Sequence, residues 1–324
     1  MDVSSIPFGR FVLWRVSIGV GQLLVLLILV FALSLLLPGD AADVQGNPVL
    51  GAQQREAARE LLGLDAPPAQ RFLHWLAHAV TGDFGVSYAN GAPVADLIVE
   101  PFLVTVLMAV LSLLLWVPLA VTVGFAAGLR PGSRRDRVIT TLCVGLDAVP
   151  DFVLAILLVT SVSLELRLLP ATFLGTEPST ILRRPEYLVL PLVVMVVRVA
   201  VPVVRLVRAG VVDVLDRPYI VQARRLGVAR GSLLIRHIAP NALTPAVQEL
   251  GRTGGGLLSG VLIVEAVFVM PGIASQLIGA IGDRDDPVIL AIVLITGTAA
   301  ITTNVVVDLV GQRLVPRSAE GVRR

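Results

Sequence analysis

The chain has 324 residues, 55% of them hydrophobic and 15% charged, with a mean hydropathy of +0.85 and a formal charge of +2. Those values exclude a soluble globular domain and indicate a polytopic membrane protein. Its one cysteine, Cys143, excludes a disulfide framework. Its 26 basic residues are all arginine, which excludes a lysine-dependent phosphate loop. The glycines at Gly251 and Gly254 to Gly256 therefore read as close helix packing rather than a nucleotide loop.

Residues 1–10 are short and polar, and an apolar run from Arg15 to Leu37 follows. The run exceeds the hydrophobic region of a secretory signal and suffices to cross about 30 Å of hydrocarbon. Residues 1–37 are therefore expected to hold a retained first transmembrane helix. Residues 38–97 form a polar external loop, in which Gln53 to Leu64 and Ala69 to Val80 pattern as amphipathic helices split by Pro67-Pro68. This loop can be a structural cap, a docking surface for an external protein, or both.

Further apolar spans are expected at 98–129, 138–165, 186–209, 243–267 and 287–312. Together with the first they make an all-α membrane protein of six transmembrane helices. Its core covers 98–312, and a tail follows at 313–324. With the N-terminus inside, 17 arginines fall near span ends on the cytoplasmic side and seven on the outer side. By the positive-inside bias, both termini and the stretch at 216–245 face the cytoplasm.

Ionisable groups inside spans are costly, at about 2.5–3.5 kcal/mol each at mid-bilayer. Asp147 and Asp151, four apart beside Pro150, are expected on one helix face of the third span, with Arg198 in the fourth. One reading pairs Arg198 with an aspartate as a buried contact. The other puts the acids on a translocation path, where they favour a cationic substrate group. A division of roles between the two acids is the expectation. His74, His78 and His237 form no ligand constellation, so no metal site is expected.

The polar stretch at 216–245 separates the fourth and fifth spans. A short helix from Tyr219 to Leu226 meets Gly227, which can turn the chain at positive φ. A second helix runs from Arg230 to about Ile238, with Leu233, Leu234 and Ile238 on one face. By charge alone this is an ordinary basic loop. As a knob between spans it suits docking in a partner's groove.

Its spacing carries a resemblance. Ala223, Gly227, Arg236-His237 and Asn241-Ala242-Leu243 with Pro245 resemble the coupling-loop signature of ATP-binding-cassette importer permeases of the oligopeptide/dipeptide/nickel family. Val221 and Gln222 stand where the general motif opens with glutamate, which removes one expected polar contact. Arg15 with Leu36-Leu-Pro-Gly-Asp40, Leu62-Gly-Leu-Asp65, and Thr81-Gly-Asp-Phe-Gly-Val-Ser87 also match the family. So do Glu265 before Met270-Pro-Gly272, and the pair Asn304 and Asp308, expected to hydrogen bond between helices. Asp147, Asp151 and Arg198 depart from its pattern.

The resemblance implies a non-catalytic permease of the bacterial cytoplasmic membrane, importing peptides, nickel chelates or other small solutes. Implied partners are a second homologous permease, two cytoplasmic ATPases, an external substrate-binding protein and the lipid bilayer, with no nucleic acid. ATP and magnesium would bind the ATPases, leaving no cofactor here. The coupling-loop residues carried over are Tyr219, Ala223, Arg224, Gly227, Arg230, Arg236, His237 and Asn241. A secondary transporter with Asp147, Asp151 and Arg198 as a proton relay is the rival class, and a membrane scaffold is a third. The arginine count predicts that a reporter fused after Arg324 is active in the cytoplasm and one inserted at Gly91 is active outside. Cytoplasmic activity at Gly91 would refute six spans.

Overall fold

The computed structural model describes residues 8–45, 52–174, 183–244, 246 and 261–314. Pro245, Arg252, Gly251, Gly254 to Gly256, the side chain of Asp308, the tail beyond 314 and most of the expected fifth span lie outside them. The described elements are helices: α1 Phe8–Leu36, α2 Ala41–Gln45, α3 Ala52–Leu61, α4 Pro68–Ala79, α5 Val94–Gly128, α6 Arg134–Asp147 and α7 Asp151–Leu158. There follow α8 Glu186–Leu215, α9 Pro218–Arg225, α10 Arg230–Leu233, α11 Ala239–Ala242, α12 Val261–Phe268, α13 Ile273–Gly282 and α14 Asp286–Leu314. Widened π turns extend α7 through Val159–Glu165 and α10 through Leu234–Ile238.

Four of these helices, α1, α5, α8 and α14, are long and apolar enough to cross a membrane among the described residues. The count rises to six if α6 with α7, and α12 with α13, each make one broken span. The protein is therefore an all-α polytopic membrane protein. Two expectations are corrected. The third span is not one helix: α6 stops at Asp147, and the chain turns by 102° before α7. Pro150 lacks an N–H and excludes helical geometry from Val149, so Asp147 and Asp151 do not share a continuous helix face. The stretch left between the spans expected at 243–267 and 287–312 contains a helix, α13. Gly272 starts it in extended conformation, and Ile273 and Ala274 are buried.

Contacts divide the chain into two units, one of residues 1–106 and 269–302, the other of 107–268 and 303–324. In the first, Leu27 and Phe31 of α1, Phe72 of α4 and Leu290 of α14 make a core. Gly19 and Gly297 let α1 and α14 approach: an added Cβ would lie 2.5 Å from Ile301 and from Leu23 respectively. The insert contains both amphipathic helices, α3 and α4, with Pro68 in the first turn of α4 as its missing N–H allows. Arg59 of α3 reaches Asp40 at 2.8 Å, and Arg71 of α4 reaches Asp286 at 3.2 Å. The buried Asp285 carboxylate accepts from Ser87 Oγ and from the amides of Tyr88 and Ala89, which fixes the loop ahead of α5.

The second unit is built on α8. Of its hydrophobic window 61% is enclosed by protein, against 17% for α1 and 28% for α5. Val196, Val199, Val203, Val207, Val211 and Val214 of α8 pack with Trp116 of α5 and Cys143 of α6. Glycines bring α5 against it: a Cβ at Gly124 would lie 2.6 Å from Val207, and one at Gly128 2.7 Å from Val211. This small-residue spacing of four suits close helix packing in lipid.

Ahead of the apolar part of α6, Asp136 is 3% exposed and is gripped from α8 by Arg208, with Nε at 2.5 Å and Nη2 at 2.8 Å. The Gly132 amide donates to the same carboxylate at 2.8 Å. The Arg208 hydrogen bonds, aided by Gly132, hold the Asp136 carboxyl well below the usual carboxylate range. A lowered folded value means that the ionised acid contributes fully above about pH 4, and that its contribution fades as pH falls further. Asp136→Asn should destabilise the protein in detergent by about 2–3 kcal/mol at pH 7. The gap in thermal midpoint between parent and variant should narrow only below about pH 4.

Candidate functional site

The stretch between α8 and α12 begins at Pro218, which opens α9. Ile220 is fully buried and anchors the helix to the α8 core, while Tyr219, Arg224 and Arg225 face out. The end of α9 explains the spacing of Ala223 and Gly227. Gly227 N–H donates to the Arg224 carbonyl and Val228 N–H to the Ala223 carbonyl, both at 3.1 Å. That hydrogen-bond pair is a Schellman motif, which needs a left-handed residue just past the helix. Gly227 has φ +78°, and an added Cβ there would meet no atom within 4 Å. Torsion, not space, requires the glycine.

Beyond the turn, Leu233 and Ile238 are buried in the α8 core, and Leu234 packs on it. Arg230, Arg236 and Ile235 are exposed. Pro240 cannot donate to the helix ladder, and the chain widens into the π turn just before it. There the Ala239 amide reaches the Leu234 carbonyl, and Asn241 Nδ2 donates to the His237 carbonyl at 2.8 Å. His237 is half-buried within this turn. The element then returns to α8, with Gly210 lying against the Ala242 backbone. A Cβ at Gly210 would collide with the Ala242 carbonyl and lie 3.1 Å from its carbonyl carbon. The signature residues thus belong to one folded element whose two ends are seated on α8.

The other expected site residues lie higher on α8 and on α6 and α7. Arg198 Nε lies 3.3 Å from Asp151 Oδ2, and Arg205 Nη1 lies 3.0 Å from Asp147 Oδ2. Both acids therefore have an arginine, where sequence reasoning gave Arg198 to one of them. Arg205, Arg208, Asp136 and Gly210 were missed as site residues. Arg205 carried a usable signal: it lies seven residues after Arg198, hence on the same helix face. Glu265 is fully buried in α12, and Asn304 is exposed on α14.

Fold and site together define a polytopic helical membrane protein that carries a folded, basic element seated on α8. Comparison with known proteins gives its family. The model described as "Binding-protein-dependent transport system inner membrane component" matches residues 117–320, and the corresponding model for the N-terminal part matches residues 8–109. The chain is 36% identical to the "Glutathione transport system permease protein GsiC" of Escherichia coli (strain K12) over 291 residues, 89% of this chain and 91% of that protein. It is 34% identical to the protein of that name from Salmonella typhi over 300 residues, 93% of this chain and 95% of that one. The chain belongs to the binding-protein-dependent inner-membrane components, the permease subunits of ATP-binding-cassette importers. Members of that family are non-catalytic, and they work with a binding protein and an ATPase.

The Schellman turn yields a test. Gly227→Val places a β-branched residue at positive φ, at a cost of about 1–2 kcal/mol or more locally. Membrane abundance should stay near the parent's, while transport and substrate-stimulated ATP hydrolysis by the assembled complex fall together. Full activity in this variant would remove the turn from coupling.

Proposed function

We propose that this chain is one of two homologous transmembrane subunits of an ATP-driven peptide importer. In this reading it passes di- or oligopeptides from an external binding protein to the cytoplasm. The observation that carries the proposal is the folded element from Pro218 to Ala242, held on α8 at both ends. Its exposed face combines Tyr219, Leu226 and Ile235 with Arg224, Arg225, Arg230 and Arg236, an apolar and basic surface suited to a partner's groove. Relatives named for glutathione, a tripeptide, support peptide cargo over nickel chelates or other small solutes.

Both termini and this element face the cytoplasm, as the arginine distribution supports. Two ATPase subunits bind ATP and magnesium and close on nucleotide. Their motion enters through α9 to α11, whose seat at Gly210 makes α8 the rod that carries it into the spans. The permease itself makes and breaks no bond.

The test is uptake by the complex of both permeases, ATPases and binding protein in proteoliposomes, with labelled di- and tripeptides and a nickel chelate. Peptide uptake should require ATP and the binding protein, and should persist when an uncoupler removes ion gradients. Uptake that survives without ATP and collapses with the uncoupler would establish a secondary carrier instead. Uptake of the nickel chelate alone would replace the cargo.

A further inference from the structure

The three ion pairs that join α8 to α6 and α7 are not equivalent. Arg208 holds the buried Asp136 through two hydrogen bonds, at 2.5 and 2.8 Å. Arg205 holds Asp147 through one, at 3.0 Å. Arg198 approaches Asp151 only to 3.3 Å, and among the described residues no hydrogen bond occupies its terminal nitrogens. The side chain of Asp151 is 16% exposed and that of Arg198 57%. The acid is therefore enclosed and committed, whereas the planar end of the guanidinium is open.

Depth makes that openness informative. Arg198 follows the start of α8 by twelve residues, or about 18 Å along the axis, near the middle of a hydrocarbon layer about 30 Å thick. An open arginine at that depth faces water or a polar group, not lipid tails. Its surroundings agree. Between the buried valines, α8 leaves open a stripe bearing Arg198, Arg205, Ala209 and Asp213, with Pro202 partly open, so three of these five positions are charged. A recess at the Pro150 break, lined by Asp147, Asp151 and Arg198 with Val149, Val197 and Val201, adjoins the stripe.

We propose that Arg198, oriented by Asp151, is a carboxylate-binding station on the translocation path. The guanidinium end presents a fork of donors that matches a carboxylate in two-point contact, as an ammonium cannot. Asp151 keeps the side chain extended from its Nε side and partly offsets its charge, so that a bound anion can leave again. This reverses the sign of the group that the acids alone suggested, because both aspartates are already neutralised by arginines. The inference rests on the peptide reading for its cargo: every unmodified linear peptide ends in a carboxylate, and amidation removes it.

The experiment uses the complete complex in proteoliposomes, with a dipeptide and its C-terminal amide. The parent, Arg198→Lys and Arg198→Gln are compared with the same binding protein, whose own preference cancels between variants. The uptake ratio of free acid to amide should fall at least tenfold in both variants. Arg198→Lys keeps a charge for Asp151, so its abundance should match the parent's even if Arg198→Gln is scarce. An unchanged ratio in Arg198→Lys would overturn the proposal. A second measurement needs no transport: arginine modification by phenylglyoxal, resolved by mass spectrometry in the detergent-purified complex. Millimolar free-acid dipeptide or acetate should slow modification of Arg198 at least threefold, and the amide should not. Equal rates with acid and amide would overturn the station. If the parent moves no peptide on ATP, the peptide reading fails, and protection by acetate decides the station separately.

Discussion

A guanidinium inside an apolar span must have a counter-charge or water, and α8 carries three guanidiniums. The broken path from α6 to α7, made at Pro150, supplies two of the three counter-charges. Arg198 and Arg205 are seven residues apart, about 10.5 Å along α8, whereas four residues of continuous helix carry Asp147 to Asp151 by only about 6 Å. A continuous third helix would leave the difference to be bridged by the reach of the arginine side chains. Pro150 is extended, and the chain turns by 102° there, so the two acids stand on helices that run in different directions. Across the break each acid lies beside its own arginine. The acids run in reverse order to the arginines, as antiparallel neighbours must.

The same helix seats the coupling element, and small residues make this possible. Gly124 and Gly128 bring α5 within backbone distance on one part of α8, and Gly210 brings Ala242 equally close on another. At these two contacts a glycine lets the partner's backbone press directly on α8. Elsewhere α8 offers valines, whose stiff branched side chains fill fixed volumes. A helix enclosed in this way moves with its neighbours as a body. That behaviour suits the transmission of a displacement from one end of a span to the other.

Much of this was legible in the sequence where the signals were local. Pro67-Pro68 split α3 from α4, Gly227 ended α9, and the long apolar runs marked α1, α5, α8 and α14. The errors came from treating local punctuation without its tertiary context. Pro150 was noticed, yet Asp147 and Asp151 were still placed on one face, as if the helix passed through it. The stretch between the spans expected at 243–267 and 287–312 was given no helix, although Ile273, Leu277, Ile278 and Ile281 have helical spacing. The choice of partner for each arginine depends on the register between α6, α7 and α8, which no single segment encodes. Arg205 and Arg208 therefore counted only towards orientation, although they bind Asp147 and Asp136.

The glycines of the second unit also differ in the kind of freedom that they deny to other residues. Gly124, Gly128 and Gly210 are limits of volume: an added Cβ must displace a neighbour. Gly227 stands in open space, and its limit is one of chirality. A D-alanine there would find its preferred torsions already satisfied. The coupling turn would accept a mirror-image residue introduced by semisynthesis more readily than any natural one. Gly210, packed on the Ala242 backbone of the same element, excludes a natural side chain by contact rather than by torsion.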